Sequence, residues 1–219
     1  MNKRLVAFGC SLTQGIGLPD IFDVRDPATP LLGPSKLAWP NKLAKHLNCS
    51  VVNKGHAGAS NKQITWNIQN FSFKEDDIVV IQWTHLDRFC IIRDNSQYVD
   101  QCYNDEIVTM ISAGRMEQGQ GQSKLFFKHF HSISDMEVDM HTRIDYINFL
   151  LERKGITVFN FLAEPHYKRS FNWFETKLLD TTIGPIRHKL PTALDNSHPG
   201  EECMQVIADE LYKEITELL

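Results

Sequence analysis

No run of five or six like charges occurs in the 219 residues, and the formal net charge is only −4. Nucleic-acid binding needs a concentrated basic face, so this balance speaks against nucleic acid as a partner. No uninterrupted apolar stretch approaches the ~20 residues of a membrane span. The first apolar run, Leu5-Val6-Ala7-Phe8, is too short for a signal peptide. Cysteine is sparse and scattered: Cys10, Cys49, Cys90, Cys102 and Cys203 are odd in number and show no CxxC spacing. Reduced thiols and a cytoplasmic setting are the expectation. No internal repeat, low-complexity tract or interdomain linker is visible, so one domain over residues 1–219 is expected.

What is present is ordinary for a soluble globular chain: 42% apolar and 23% charged residues. The length suffices to bury a substantial core without disulfide or metal. Short apolar runs at 4–8, 50–53, 78–81 and 156–161 read as strands. The run Ile78-Val79-Val80-Ile81 is continuous and β-branched, as in a strand covered on both faces. Between the strands lie helical signals. Pro40 suits a first helical position, and Leu43, Ala44 and Leu47 follow on one face. Ser60 and Gln63 have capping-box spacing, so a helix begins at Asn61. Ile144, Ile147, Leu150 and Leu151 mark a third helix, closed by Lys154 and Gly155. A last one starts near Glu201 and turns Met204, Ile207, Ala208, Leu211, Ile215 and Leu218 inward. Alternating strands and helices predict a three-layer α/β/α sandwich with a mainly parallel sheet. Residues 17–34 read as a loop. Residues 94–140 lack periodicity and read as an irregular insertion, helical in part. A short helix is expected near 173–179, and the Phe126–Phe130 cluster reads as core or loop packing.

Right-handed crossovers place every strand's carboxyl end on one rim, where open α/β sheets bind ligands. Ser11 stands there, two residues beyond the glycine that ends the first strand. Acyl transfer by a serine needs a base in reach, a group that orients the base, and N–H donors for the oxyanion. Asp195 and His198, three apart before the last helix, can supply base and orienter. The Gly58 turn can bring a backbone N–H near a ligand. His129, His131, Asp135, Asp139 and His141 fit no standard zinc spacing, so neither metal nor cofactor is expected. Asp87 and Arg88 are expected to pair with each other or with loop carboxylates.

The ordered blocks Gly9-x-Ser11-Leu12-Thr13-x-Gly15, Asn53-x-Gly55-x-x-Gly58-x-Ser60-Asn61 and Asp195-x-x-His198-Pro199 resemble the SGNH (GDSL-type) hydrolase family. That family is a flavodoxin-like α/β sandwich of esterases, lipases and carbohydrate deacetylases. The resemblance implies Ser11 as nucleophile, Gly58 as oxyanion donor, His198 as base and Asp195 as its partner. Two departures stand out. Cys10 replaces the aspartate of the GDSL string. The third strand ends in Trp83-Thr84-His85-Leu86-Asp87, where the family has Gly-x-Asn-Asp with a donor asparagine. Losing one such donor costs on the order of 10²–10³ in rate. Asn61, Thr84 or His85 is then the candidate substitute. The resulting expectation is a serine esterase or deacylase acting on a small-molecule or carbohydrate ester. The alternative is a binding or structural module that keeps the fold with little turnover.

Overall fold

The computed structural model describes residues 3–22, 33–92, 108–112, 129–165 and 178–219. Four parallel strands form the central sheet, in the order β2-β1-β3-β6: β1 (Arg4–Gly9), β2 (Ser50–Gly55), β3 (Asp77–Trp83) and β6 (Thr157–Leu162). In register, Arg4 lies opposite both Ser50 and Asp77, and Ile78 lies opposite Thr157. The β3 side chains are buried along the whole strand, as a continuous β-branched run demands. All four expected strands are therefore present, within a residue or two at their ends.

The helices fill two layers. On one face, α2 (Trp39–His46) packs against the C-terminal α6 (Glu201–Leu218), which also meets the short α5 (Ile183–Arg187); on the other, α3 (Asn61–Gln69) packs against α4 (Ile133–Glu152). Lys42 meets Glu201 at 3.1 Å and His46 meets Asp209 at 2.7 Å, so α2 and α6 run side by side in the same direction. Both leave the rim and descend to the opposite edge of the sheet. There Arg4 grips Asp77 through Nε at 2.8 Å and Nη2 at 2.6 Å. One continuous core includes Phe8, Trp39, Trp83, Phe161, Met140 and Leu211. Among the described residues no helix is long and apolar enough to cross a membrane.

Two features depart from the pattern reading. β4 (Arg88–Ile92) and β5 (Val108–Ser112) pair as a separate antiparallel ribbon, which was not expected. Helix α4 begins at Ile133, inside the stretch assigned to the insertion; Ser132 caps it by accepting from the Asp135 N–H. Phe130 is 74% exposed and so stands outside the core; Phe126 and Phe127 lie outside the described residues. The short helix expected near 173–179 falls mostly outside them too, as does much of the 17–34 loop.

Candidate active site

The turn that carries Ser11 is fixed by contacts that leave no room for side chains. A Cβ at Gly9 would lie 2.1 Å from Thr13 Oγ1 and 2.9 Å from Gln82 Oε1. A Cβ at Gly55 would lie 2.3 Å from the Gln14 nitrogen. Between these glycines, Ser11 is the first residue of the short helix α1 (Ser11–Gln14), and it is only 5% exposed. Gly15, at φ 83°, closes the turn in the left-handed region that glycine adopts without penalty.

Both neighbouring strands clamp this turn. From β3, Gln82 Oε1 accepts from Thr13 Oγ1 at 3.1 Å, the Cys10 thiol at 3.3 Å and the Cys10 N–H at 3.4 Å. Its Nε2 donates to the Trp83 carbonyl at 2.7 Å. From β2, Asn53 Nδ2 donates to the Thr13 carbonyl at 2.8 Å, while its Oδ1 accepts from the Gly55 N–H at 2.8 Å. Cys10 thus puts a weak thiol donor where the GDSL string has a carboxylate.

The second block crosses the rim next. His56 N–H donates to the Gly9 carbonyl at 3.0 Å, and Gly58 turns the chain at φ 72°. Ser60 caps α3, accepting from Gln63 N–H at 3.3 Å. The Gln63 side chain does not return the bond; its Nε2 sits 3.4 Å from His56 Nδ1, so half of the capping box forms. Asn61 clasps the end of β3: its Oδ1 accepts from Thr84 N–H at 2.8 Å, and its Nδ2 donates to the Thr84 carbonyl at 3.3 Å. That engagement makes Asn61 a clasp before it is a donor. The Thr84 side chain is fully buried, and its hydroxyl makes no hydrogen bond among the described residues. His85 beside it is half-buried.

The third block folds on itself. Asp195 Oδ1 accepts from the Ser197 and His198 N–H groups, both at 3.0 Å, and Oδ2 lies 2.5 Å from His198 Nδ1. Asn196 takes φ 56°, which lets the loop curl that tightly. Burial pulls the Asp195 carboxyl upward in pKa, but the two backbone N–H groups and the His198 ring outweigh it. The net result lies below the ordinary 3.8. A carboxylate only accepts, so Nδ1 carries the proton and the neutral ring presents its Nε2 lone pair. Ser197 Oγ also approaches Nδ1, at 3.1 Å, and Arg187 donates to the Ser197 carbonyl.

The chain ends of the candidate triad meet through Gly17. Leu194 N–H donates to the Gly17 carbonyl at 3.0 Å. A Cβ on Gly17 would lie 2.6 to 2.8 Å from the Asp195 carboxylate. Asp195 is therefore seated on the segment that follows α1, six residues beyond Ser11. No hydrogen bond joins Ser11 Oγ to His198 Nε2 in this geometry. Arg88 does not bond to Asp87: its Nη1 donates to the Ala59 carbonyl at 3.4 Å. Pattern reading missed Gln82 and Gly17. A glutamine closing the apolar run of a central strand was the available signal for the first. Nothing in the sequence marked the second.

With this architecture, the molecule has an SGNH hydrolase-like fold. Comparison of the sequence with protein-family models and with curated proteins gives no match. Solved structures do match over nearly the whole chain. A protein assigned to the lipolytic G-D-S-L family, from Desulfitobacterium hafniense DCB-2, shares 13% identity at a TM-score of 0.53, covering 97% of this chain and 99% of its own. The psychrotrophic esterase EstA from Pseudoalteromonas sp., in a structure inhibited by monoethylphosphonate, shares 12% at 0.50, over 98% and 97%. The acetyl xylan esterase Est2A from Butyrivibrio proteoclasticus shares 12% at 0.53; 99% of this chain covers 64% of that enzyme.

Proposed function

We propose that the protein is a serine hydrolase that cleaves carboxylic esters through an acyl-enzyme on Ser11. The observation that supports this reading is the Asp195–His198 pair, with Oδ2 2.5 Å from Nδ1 and the carboxylate packed on Gly17, six residues beyond Ser11. In the proposed cycle the Ser11 Oγ–H proton passes to His198 Nε2 as Oγ bonds to the ester carbonyl carbon. The carbonyl oxygen becomes an oxyanion facing the N–H groups of Ser11 and Gly58, with Thr84, His85 and Asn61 at the end of β3 as its further neighbours. The ester C–O bond then breaks, and His198 returns the proton to the departing alcohol. Water, deprotonated by the same ring, then bonds to the acyl carbon, the bond to Ser11 Oγ breaks, and His198 returns the proton to Oγ as the carboxylic acid leaves. No step needs a cofactor. The esterases among the structural neighbours are compatible with an O-acyl group on a carbohydrate or small metabolite as substrate.

Ser11→Ala should abolish hydrolysis of a short aryl ester while circular dichroism and the melting temperature stay near wild type. Retained turnover would refute the nucleophile. A phosphonate inhibits the neighbour EstA, so a fluorophosphonate should label this protein as well, with the adduct mapped to Ser11 by mass spectrometry. A second reading is a binding module on the same fold. The missing asparagine after β3 and the open Ser11–His198 contact favour it, and absence of any adduct would select it.

A further inference from the structure

Resting on the esterase reading, we propose that a cleft beside the glycine turn is an anion-binding subsite. It would select esters that carry a carboxylate or phosphate group a few bonds from the scissile carbonyl. The cleft encloses about 270 Å³, room for an acidic arm rather than a whole substrate. Three elements wall it: the start of α3 with Asn61 and Lys62, β4 with Arg88 and Phe89, and the first turns of α4 with Asp135, Asp139 and Arg143.

The charges on these walls do not cancel. Arg143 is committed to Asp139 through two bonds, at 2.7 and 2.8 Å, which neutralises that pair. Lys62 and Arg88 have no carboxylate partner among the described residues. Lys62 Nζ stands 6.0 Å from the centroid of the Phe89 ring, and Arg88 spends one N–H on the Ala59 carbonyl. Among the described wall residues the one other charge, Asp135, is exposed, whereas Lys62 and Arg88 are half-buried. Water screens the exposed carboxylate more than it screens the two cations. In a chain with a net charge of −4, Lys62 and Arg88 thus stand in one cleft with no carboxylate bonded to either among the described residues.

The location ties this cleft to the reaction. Arg88 bonds to the residue directly after Gly58, the proposed oxyanion donor. Asn61 lines the cleft and also clasps Thr84 at the end of β3. Asn61 is three positions beyond Gly58, so their Cα atoms are at most about 11 Å apart. An ester carbonyl held at Gly58 could place a short acidic arm between Lys62 and Arg88. The planar guanidinium suits a two-point grip on such a group, and the ammonium adds a point charge.

The test uses the full-length chain with aryl monoesters of succinate and glutarate, and the neutral aryl butyrate beside them. The quantity read is the ratio of kcat/KM for acidic over neutral ester. In wild type it should exceed one and fall as salt is added. In Lys62→Gln and in Arg88→Gln it should drop about tenfold, the usual size of one lost charge-assisted contact. Lys62→Arg, which keeps the charge, should retain most of the preference. Independently, succinate alone and inorganic phosphate should raise the melting temperature of wild type more than that of either glutamine variant. If no ester turns over but this stabilisation depends on Lys62 and Arg88, the esterase reading fails and the subsite stands. If esters turn over with a ratio indifferent to both substitutions, the subsite is overturned and the esterase reading stands. Absence of any preference and of any anion-dependent stabilisation overturns the subsite as well.

Discussion

Among single residues, Gln82 decides the shape of the site more than any side chain that would touch substrate. Three donors from the Ser11 turn converge on its one amide oxygen. Gln82→Leu keeps the bulk and orphans all three inside the core. Unmet buried donors cost about 1–3 kcal/mol each, so a melting point lower by several degrees is expected, with kcat falling alongside. Asp195 is tested differently. Asp195→Asn leaves the loop near its present course but lets the ring take the wrong tautomer, a change worth on the order of 10⁴ in kcat where it has been isolated. The same carboxylate contributes to stability with a definite sign. Its folded pKa is depressed, so its contribution is complete above the unfolded value of 3.8 and disappears as pH falls through the lower folded one. Denaturant midpoints of wild type and Asp195→Asn should therefore converge below about pH 4. A gap that persists into stronger acid would contradict the assignment. Cysteines give a third readout. Burial pushes the Cys203 thiol up to about 11 against a smaller downward pull from Arg187, and burial raises Cys49 and Cys90 too. Thiolate is the reactive form, so these three should resist alkylation in mildly alkaline buffer until denaturant is added.

For the elements, what the sequence disclosed followed how each one hides its surface. The strands β1, β2, β3 and β6 are short apolar runs, and burial on both faces leaves just that trace. Helix α6 turns Met204, Ile207, Ala208, Leu211 and Ile215 into the core, so its period was plain, but Leu218, expected to face inward too, is 66% exposed in the last turn. Helix α4 was legible only in its second half. Its first half buries Glu137 and His141 together with Met140, and polar residues in an apolar stripe erase the period. The β4–β5 ribbon was missed because its strands are joined by a long connection without a hairpin dipeptide. The candidate site was legible as three blocks of residue types. Its fastening was not, because Gln82, Asn53 and Gly17 act across the sheet and no local spacing encodes that. One element-level contact can be tested directly. Arg4 and Asp77 tie the lower ends of β1 and β3 together, with side-chain exposures of 16% and 1%. Arg4→Met strands a buried carboxylate and should cost about 3 kcal/mol in chemical denaturation. The ester-cleaving rate at low denaturant should stay unchanged, since the rim is at the other end.

Across the whole molecule, the candidate site lies on one edge of the sheet, and the start of β1 and the end of α6 lie toward the other. β1 starts beside Asp77 at the lower edge. Helix α6 leaves the rim at Gly200, runs beside α2 over its first turns and continues for 18 residues in all, about 27 Å at 1.5 Å per residue. A tag, a fusion partner or a tether to a bead joined before β1 or after α6 would therefore stand away from the candidate site. Molecules held on a surface through either of these positions would present the candidate site to the bulk solution.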